Sequence, residues 1–128
     1  MKEIKRLPDA ELTVMQEIWN AEETPVPSAC VVERMGRTNG WKPTSVLTFL
    51  SRLCEKGFLQ CEKQGKRNAY TPLITAEAYR QQEGASFLKR LYQGSVRDLV
   101  ASLSHAGALS AADLDELRAF LDEQGRDT

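Results

Sequence analysis

Across its 128 residues the sequence holds a single histidine and three cysteines, and it has no uninterrupted apolar run approaching the roughly 18 to 20 residues of a membrane span. Cys30, Cys54 and Cys61 form an odd set without the close pairing of a zinc site, and His105 stands far from them. A structural metal is therefore not expected, and neither is a cofactor. The same scarcity leaves a Cys and His nucleophile pair without a local signature, so no enzymatic chemistry is expected. The thiols read as small, reduced residues in or near a core; the basic neighbours that a thiol sensor needs occur only around Cys61. The polar start Met1-Lys2-Glu3-Ile4-Lys5-Arg6 lacks the apolar stretch of a secretory signal. The expectation is a cytoplasmic chain with no membrane partner.

A large charge of either sign is also missing, since the formal net charge is −1. With 41% hydrophobic and 27% charged residues the chain is neither disordered nor fibrous, and its length suits one ordinary domain or a domain with a helical extension. The charge is unevenly placed. Residues 1–74 carry 11 Lys/Arg against 9 Asp/Glu, and residues 75–128 carry 6 against 9, so the halves differ in sign. Within residues 37–67 stand Arg37, Lys42, Arg52, Lys56, Lys63, Lys66 and Arg67 against only Glu55 and Glu62, which concentrates +5 in that stretch. Such a local excess is what phosphate binding requires; a solvated charged face is the other reading of any one of these residues.

The pattern along the chain supplies a context for that charge. Asp9, after Leu7-Pro8, reads as the cap of a first helix in which Leu12, Met15, Ile18 and Trp19 recur at spacings of three and four. Pro25 and Pro27 interrupt residues 20–27, which read as a connector delivering Ser28 as the next cap. A short helix over about residues 28–35 offers Val31, Val32 and Met35 to the same core, and Gly36 with Asn39-Gly40 breaks the chain into a turn. A third helix begins at Trp41-Lys42-Pro43, with Pro43 in the first turn and Gly57 as the terminator. In it Val46, Leu50 and Leu53 form one stripe, while Thr44, Ser45, Thr48 and Arg52 lie largely on other faces. Short hydroxyl side chains in the opening turns let a helix approach base edges and phosphates closely; they could equally cap the helix.

The residues that follow favour the first of these. Residues 58–63 alternate like a half-buried strand, Gln64-Gly65-Lys66 supplies a turn, and Arg67-Asn68-Ala69-Tyr70-Thr71 returns as a second strand. A basic-tipped hairpin directly after such a helix reads as a wing, with Lys63, Lys66 and Arg67 placed to lie along a DNA backbone or beside the minor groove; a solvated hairpin tip is the alternative. After Pro72, Thr75 caps a new helix, and a long helical pattern places Phe87, Leu88, Leu91, Tyr92, Val96, Leu99, Val100 and Leu103 at core spacing. Ser110-Ala111-Ala112-Asp113 opens a last helix with Leu114, Leu117, Phe120 and Leu121, stopped by Gly125. Two amphipathic helices cannot hide both stripes alone; a second copy is the economical cover, and an intramolecular helical hairpin is the alternative. The fold class expected is mainly α with a small β-hairpin wing: a winged helix-turn-helix over 1–74 and a helical dimerisation region over 75–128. The dimerisation residues are Phe87, Leu88, Leu91, Tyr92, Leu99, Leu103, Leu114, Leu117, Phe120 and Leu121; the DNA-binding residues are Lys42, Thr44, Ser45, Thr48, Arg52, Lys63, Lys66 and Arg67.

The order of these segments resembles the penicillinase-repressor family, the BlaI/MecI/CopY group of bacterial winged-helix regulators. The carriers are Ala10-Glu11-Leu12-Thr13-Val14-Met15 with Ile18-Trp19, Trp41-Lys42-Pro43-Thr44-Ser45-Val46 with Thr48, Arg52-Leu53, Lys56-Gly57 and Tyr70-Thr71-Pro72-Leu73. Leu91-Tyr92-Gln93-Gly94-Ser95 and Asp115-Glu116-Leu117 continue it. The resemblance implies a homodimeric repressor on an inverted-repeat, double-stranded DNA operator. It places Thr44, Ser45 and Thr48 of the recognition helix against DNA, with Arg52 one turn beyond, and Lys66 and Arg67 in the wing. Leu47 departs from the polar residue common at its position, which points to contact with a thymine methyl or to a different operator. Residues 99–108 contain no Asn, the residue after which beta-lactam-responsive members are typically cut, and no Cys follows Cys61, which excludes the copper-sensing Cys-x-Cys motifs. Any inducer or sensor partner stays unnamed. A winged-helix adaptor that binds protein instead of DNA, using the acidic C-terminal half, is the competing reading.

Overall fold

The computed structural model describes residues 4–127; residues 1–3 of the polar start lie outside the described residues. The order is α1 (Asp9–Trp19), β1 (Val26–Pro27), α2 (Ser28–Asn39), α3 (Pro43–Glu55), β2 (Leu59–Gln64), β3 (Arg67–Pro72), α4 (Ala76–Tyr92), α5 (Val96–His105) and α6 (Ala111–Asp127). The chain divides into two compact units between residues 83 and 84.

In the first unit three helices pack through the stripes their spacing dictates. Val14, Met15 and Ile18 of α1, Val31 and Met35 of α2, and Val46, Leu50 and Leu53 of α3 are buried together with Phe58, Leu59 and Tyr70. Leu12 and Trp19, expected in that core, are only partly buried at its edge, where the Trp19 indole Nε1 donates to the Ile74 carbonyl at 2.9 Å. Tyr79 on α4 is buried, stacks edge-on against Phe58, and accepts a hydrogen bond from the Leu7 backbone N–H at 2.9 Å.

The sheet has three antiparallel strands in the order β1-β3-β2. The hairpin turn is two residues, Gly65 and Lys66, because Gln64 still pairs with Arg67; Gly65 at φ 68 supplies the left-handed backbone that so short a loop demands. Val26 pairs with Tyr70 and Pro27 with Ala69, so part of the segment expected to be a connector is a short edge strand. Proline is tolerated there since an edge position lacks one ladder partner.

Several boundaries differ from the sequence reading. Asp9 and Ser28 are the first residues of α1 and α2 rather than caps; Pro8 and Pro27 precede them, without side-chain cap bonds. Helix α2 runs through Gly36 to Asn39, closed by Gly40 N–H on the Gly36 carbonyl at 3.0 Å. Strand β2 does not alternate: only Leu59 is buried and the other five residues are exposed, because this strand forms the outer edge of the sheet. The long pattern of residues 87–103 is broken at Gln93-Gly94, after which Ser95 caps α5 by accepting from Asp98 N–H at 3.1 Å. Gly125 does not stop the last helix, which continues to Asp127.

In the second unit, Ser110 and Asp113 form a reciprocal capping box, Ser110 Oγ accepting from Asp113 N–H at 3.0 Å and the Asp113 carboxylate accepting from Ser110 N–H at 2.9 Å. These bonds hold the Asp113 carboxyl below the usual carboxylate range. No residue from 84 to 125 is fully buried, so the described residues of this unit form no core of their own.

Candidate nucleic-acid interface

The placement of α3 begins with its ends. Lys42 precedes Pro43 in the first turn, and Trp41, edge-on to Phe49 at 5.4 Å between ring centres, anchors the entering chain against the core. At the other end the Phe58 N–H reaches the Leu53 carbonyl at 2.9 Å and the Gly57 N–H reaches the Cys54 carbonyl at 3.1 Å. This paired bonding needs the left-handed backbone of Gly57, at φ 83, and buries Phe58 beside Leu53. The chain therefore leaves α3 at a fixed angle, and the hairpin it enters is positioned by the same core that positions the helix.

With Val46, Leu50 and Leu53 buried, the opposite side of α3 is left to solvent. Lys42, Thr44, Thr48 and Arg52 are exposed and Ser45 is half-buried. The Thr44 and Ser45 hydroxyls make no hydrogen bond to a described residue, and the helix start has no side-chain cap bond. The capping role open to them in the sequence is thus not used. Thr48 Oγ1 donates to the Thr44 carbonyl at 2.9 Å, which occupies its proton and leaves the oxygen free to accept. On the hairpin Lys63, Lys66 and Arg67 are all exposed. Among the described residues none of Lys42, Arg52, Lys63, Lys66 and Arg67 forms an ion pair, whereas most of the paired cations stand elsewhere, as Arg34 with Glu17 and Arg6 with Glu83.

Two members of the basic run prove to be engaged. Arg37 pairs with Glu33 at 3.6 Å on the surface of α2, and Lys56 Nζ bonds the Glu11 carboxylate, which is 3% exposed. Lys56 therefore neutralises a buried charge and fastens the end of α3 to α1. The sequence reading missed this pair, since Glu11 sits among the apolar residues of α1 with nothing local to mark its partner. Removing one member of a buried ion pair strands the other, so Lys56→Ala is expected to cost about 3 kcal/mol of unfolding free energy. The check is a urea titration, in which Lys56→Met combined with Glu11→Gln should recover part of that loss; an unchanged midpoint for Lys56→Ala would mean the pair holds nothing together.

Of the thiols, Cys30 and Cys61 are exposed and Cys54 is half-buried against the core, where burial pushes its thiol up. It stays protonated and poorly nucleophilic near neutral pH. No group of His, Cys, Asp and Glu among the described residues is arranged to hold a metal ion, and no described helix is long and apolar enough to cross a membrane.

In the second unit Phe87, Leu91, Leu103, Leu117, Phe120 and Leu121 are exposed, and Leu88, Tyr92, Leu99 and Leu114 are half-buried. Phe87 and Tyr92 meet edge-on at 6.0 Å between ring centres.

The comparisons with known proteins agree with this geometry. Residues 7–123 match the family described as Penicillinase repressor. The chain is 34% identical to the penicillinase repressor of Bacillus licheniformis over 123 residues, covering 96% of this chain and 94% of that protein. It is 26% identical to the methicillin resistance regulatory protein MecI of Staphylococcus aureus (strain N315), covering 90% and 92%. Among solved structures it resembles the DNA binding domain of the repressor BlaI at 37% identity and a TM-score of 0.54, covering 62% of this chain and 94% of that one. The monomeric form of Bacillus licheniformis BlaI in complex with the blaP half-operator gives 37% identity, the same coverage and a TM-score of 0.52. The winged-helix fold inferred from residue patterns is thus matched by solved relatives, and the chain belongs to the penicillinase-repressor family, a family of transcriptional repressors and not of enzymes.

Proposed function

We propose that this chain binds an inverted-repeat DNA operator as a homodimer and represses transcription by occluding the promoter. The observation that carries the reading is the set of five exposed cations, Lys42, Arg52, Lys63, Lys66 and Arg67, without carboxylate partners among the described residues, around the polar side of α3 and along the hairpin. Unpaired cations on a fixed frame release counterions from DNA without first breaking internal bonds. In this reading α3 lies in the major groove, with Thr44, Ser45 and Thr48 reading base edges and Arg52 following one turn beyond. Lys63, Lys66 and Arg67 track the phosphates. BlaI, similar over the winged part, is seen in complex with a half-operator, which supports the same docking here.

The reading assigns residues 1–74 to DNA and residues 75–128 to pairing two copies. The ten apolar residues of the second part, Phe87 to Leu121, would be covered by the same residues of a second copy, which brings two copies of α3 about one helical turn (~34–36 Å) or a multiple apart. Repression of this kind places the protein in the cytoplasm, with any inducer or sensor acting on the dimer. The test is footprinting on the promoter region of the chain's own operon at two salt concentrations. A short protected inverted repeat that weakens with salt is the expected result; absence of protection from a verified dimer would favour the protein-binding adaptor instead.

A further inference from the structure

Among the described residues of the first unit, only Leu47 and Leu73 are large apolar side chains exposed to solvent. Leu73 follows β3, but Leu47 stands on α3 itself, 44% exposed, at the flank between the buried stripe of Val46, Leu50 and Leu53 and the polar side of the helix. Its neighbours at helical spacing are Pro43 and Thr44 one turn before it and Ser51 one turn after, all exposed, with the buried Leu50 on its inner side. An aliphatic side chain exposed there interrupts an otherwise hydroxyl-rich surface.

The outward face of α3 thus presents one small apolar spot within a polar and cationic surround. A protein partner would need a larger contiguous patch than one leucine. The major groove offers one apolar feature on its base edges, the C5 methyl of thymine. Resting on the DNA-binding reading above, we propose that Leu47 is a specificity-determining residue that seats the C5 methyl of one thymine in each operator half-site.

Deoxyuridine in place of thymine deletes that methyl while keeping every hydrogen-bonding group. The experiment measures binding of wild type and Leu47→Ala to the footprinted promoter duplex, with each half-site thymine replaced in turn by deoxyuridine. For wild type one position should weaken binding about threefold to tenfold, the worth of one or two methyl-sized groups removed from water. For Leu47→Ala the same replacement should have no further effect, because the side chain and the methyl act on each other. Leu47 is exposed and Ala favours helix, so the variant should keep the wild-type melting curve, which is recorded alongside. Deoxyuridine effects that are absent at every position, or equal in both proteins, overturn the assignment while leaving DNA binding intact. Failure of wild type to bind the unmodified duplex removes the repressor reading itself.

Discussion

On the proposed pairing of two copies, Phe120→Asp combined with Leu121→Asp is expected to leave the protein a monomer and to weaken operator binding about a hundredfold or more. Both side chains are more than half exposed on α6, in a unit where no residue from 84 to 125 is fully buried. Pairing with a second copy would remove them from water, and two carboxylates in such an interface carry a desolvation penalty without a partner. A monomer must bind each half-site independently, which forfeits the effective concentration that a linked pair enjoys, commonly worth about 10²- to 10⁴-fold. Sedimentation and a gel shift on the full inverted repeat read the two halves of the prediction. The first unit should remain folded, since its core draws on α1 to α3, the sheet and Tyr79. A variant that still sediments as a dimer would place the interface elsewhere.

Lys66→Ala with Arg67→Ala addresses the wing. Both residues are exposed and form no ion pair among the described residues, Lys66 in the two-residue turn and Arg67 at the start of β3, so truncating them should leave the fold and its stability within about 0.5 kcal/mol of wild type. Binding should fall at low salt by roughly the same factor for operator and unrelated DNA, and the dependence of log K on log salt should flatten by about one unit for each phosphate that is no longer neutralised. Thr48 variants should do the reverse, altering preference among sequences while preserving the salt slope. If the wing variant changes preference instead, the hairpin reads bases and its placement along the backbone is wrong.

Local chemistry made much of this molecule legible in advance. Val46, Leu50 and Leu53 recur at helical spacing, Pro43 opens their helix and Gly57 ends it, and each of these acts over a few residues through backbone geometry that needs no distant partner. The basic hairpin was legible for the same reason, since Gly65 and its flanking residues specify a tight turn by themselves. Element ends were less so: Ser28 and Asp9 looked like caps because capping residues and first-turn residues share one chemistry.

What the residue order could not convey depends on interactions between distant segments. Strand β1 exists only because β3 runs beside Val26 and Pro27, so two residues with no strand signal of their own complete the sheet. The charge of Lys56 belongs to Glu11, 45 positions away, which turned a counted member of the basic run into a structural tie. Composition along the chain determined that residues 37–67 would be cationic and that α3 would have a polar side. The tertiary structure alone decided which of those cations are left unpaired, because a buried carboxylate claims the nearest positive group in space, and sequence separation places no limit on that distance.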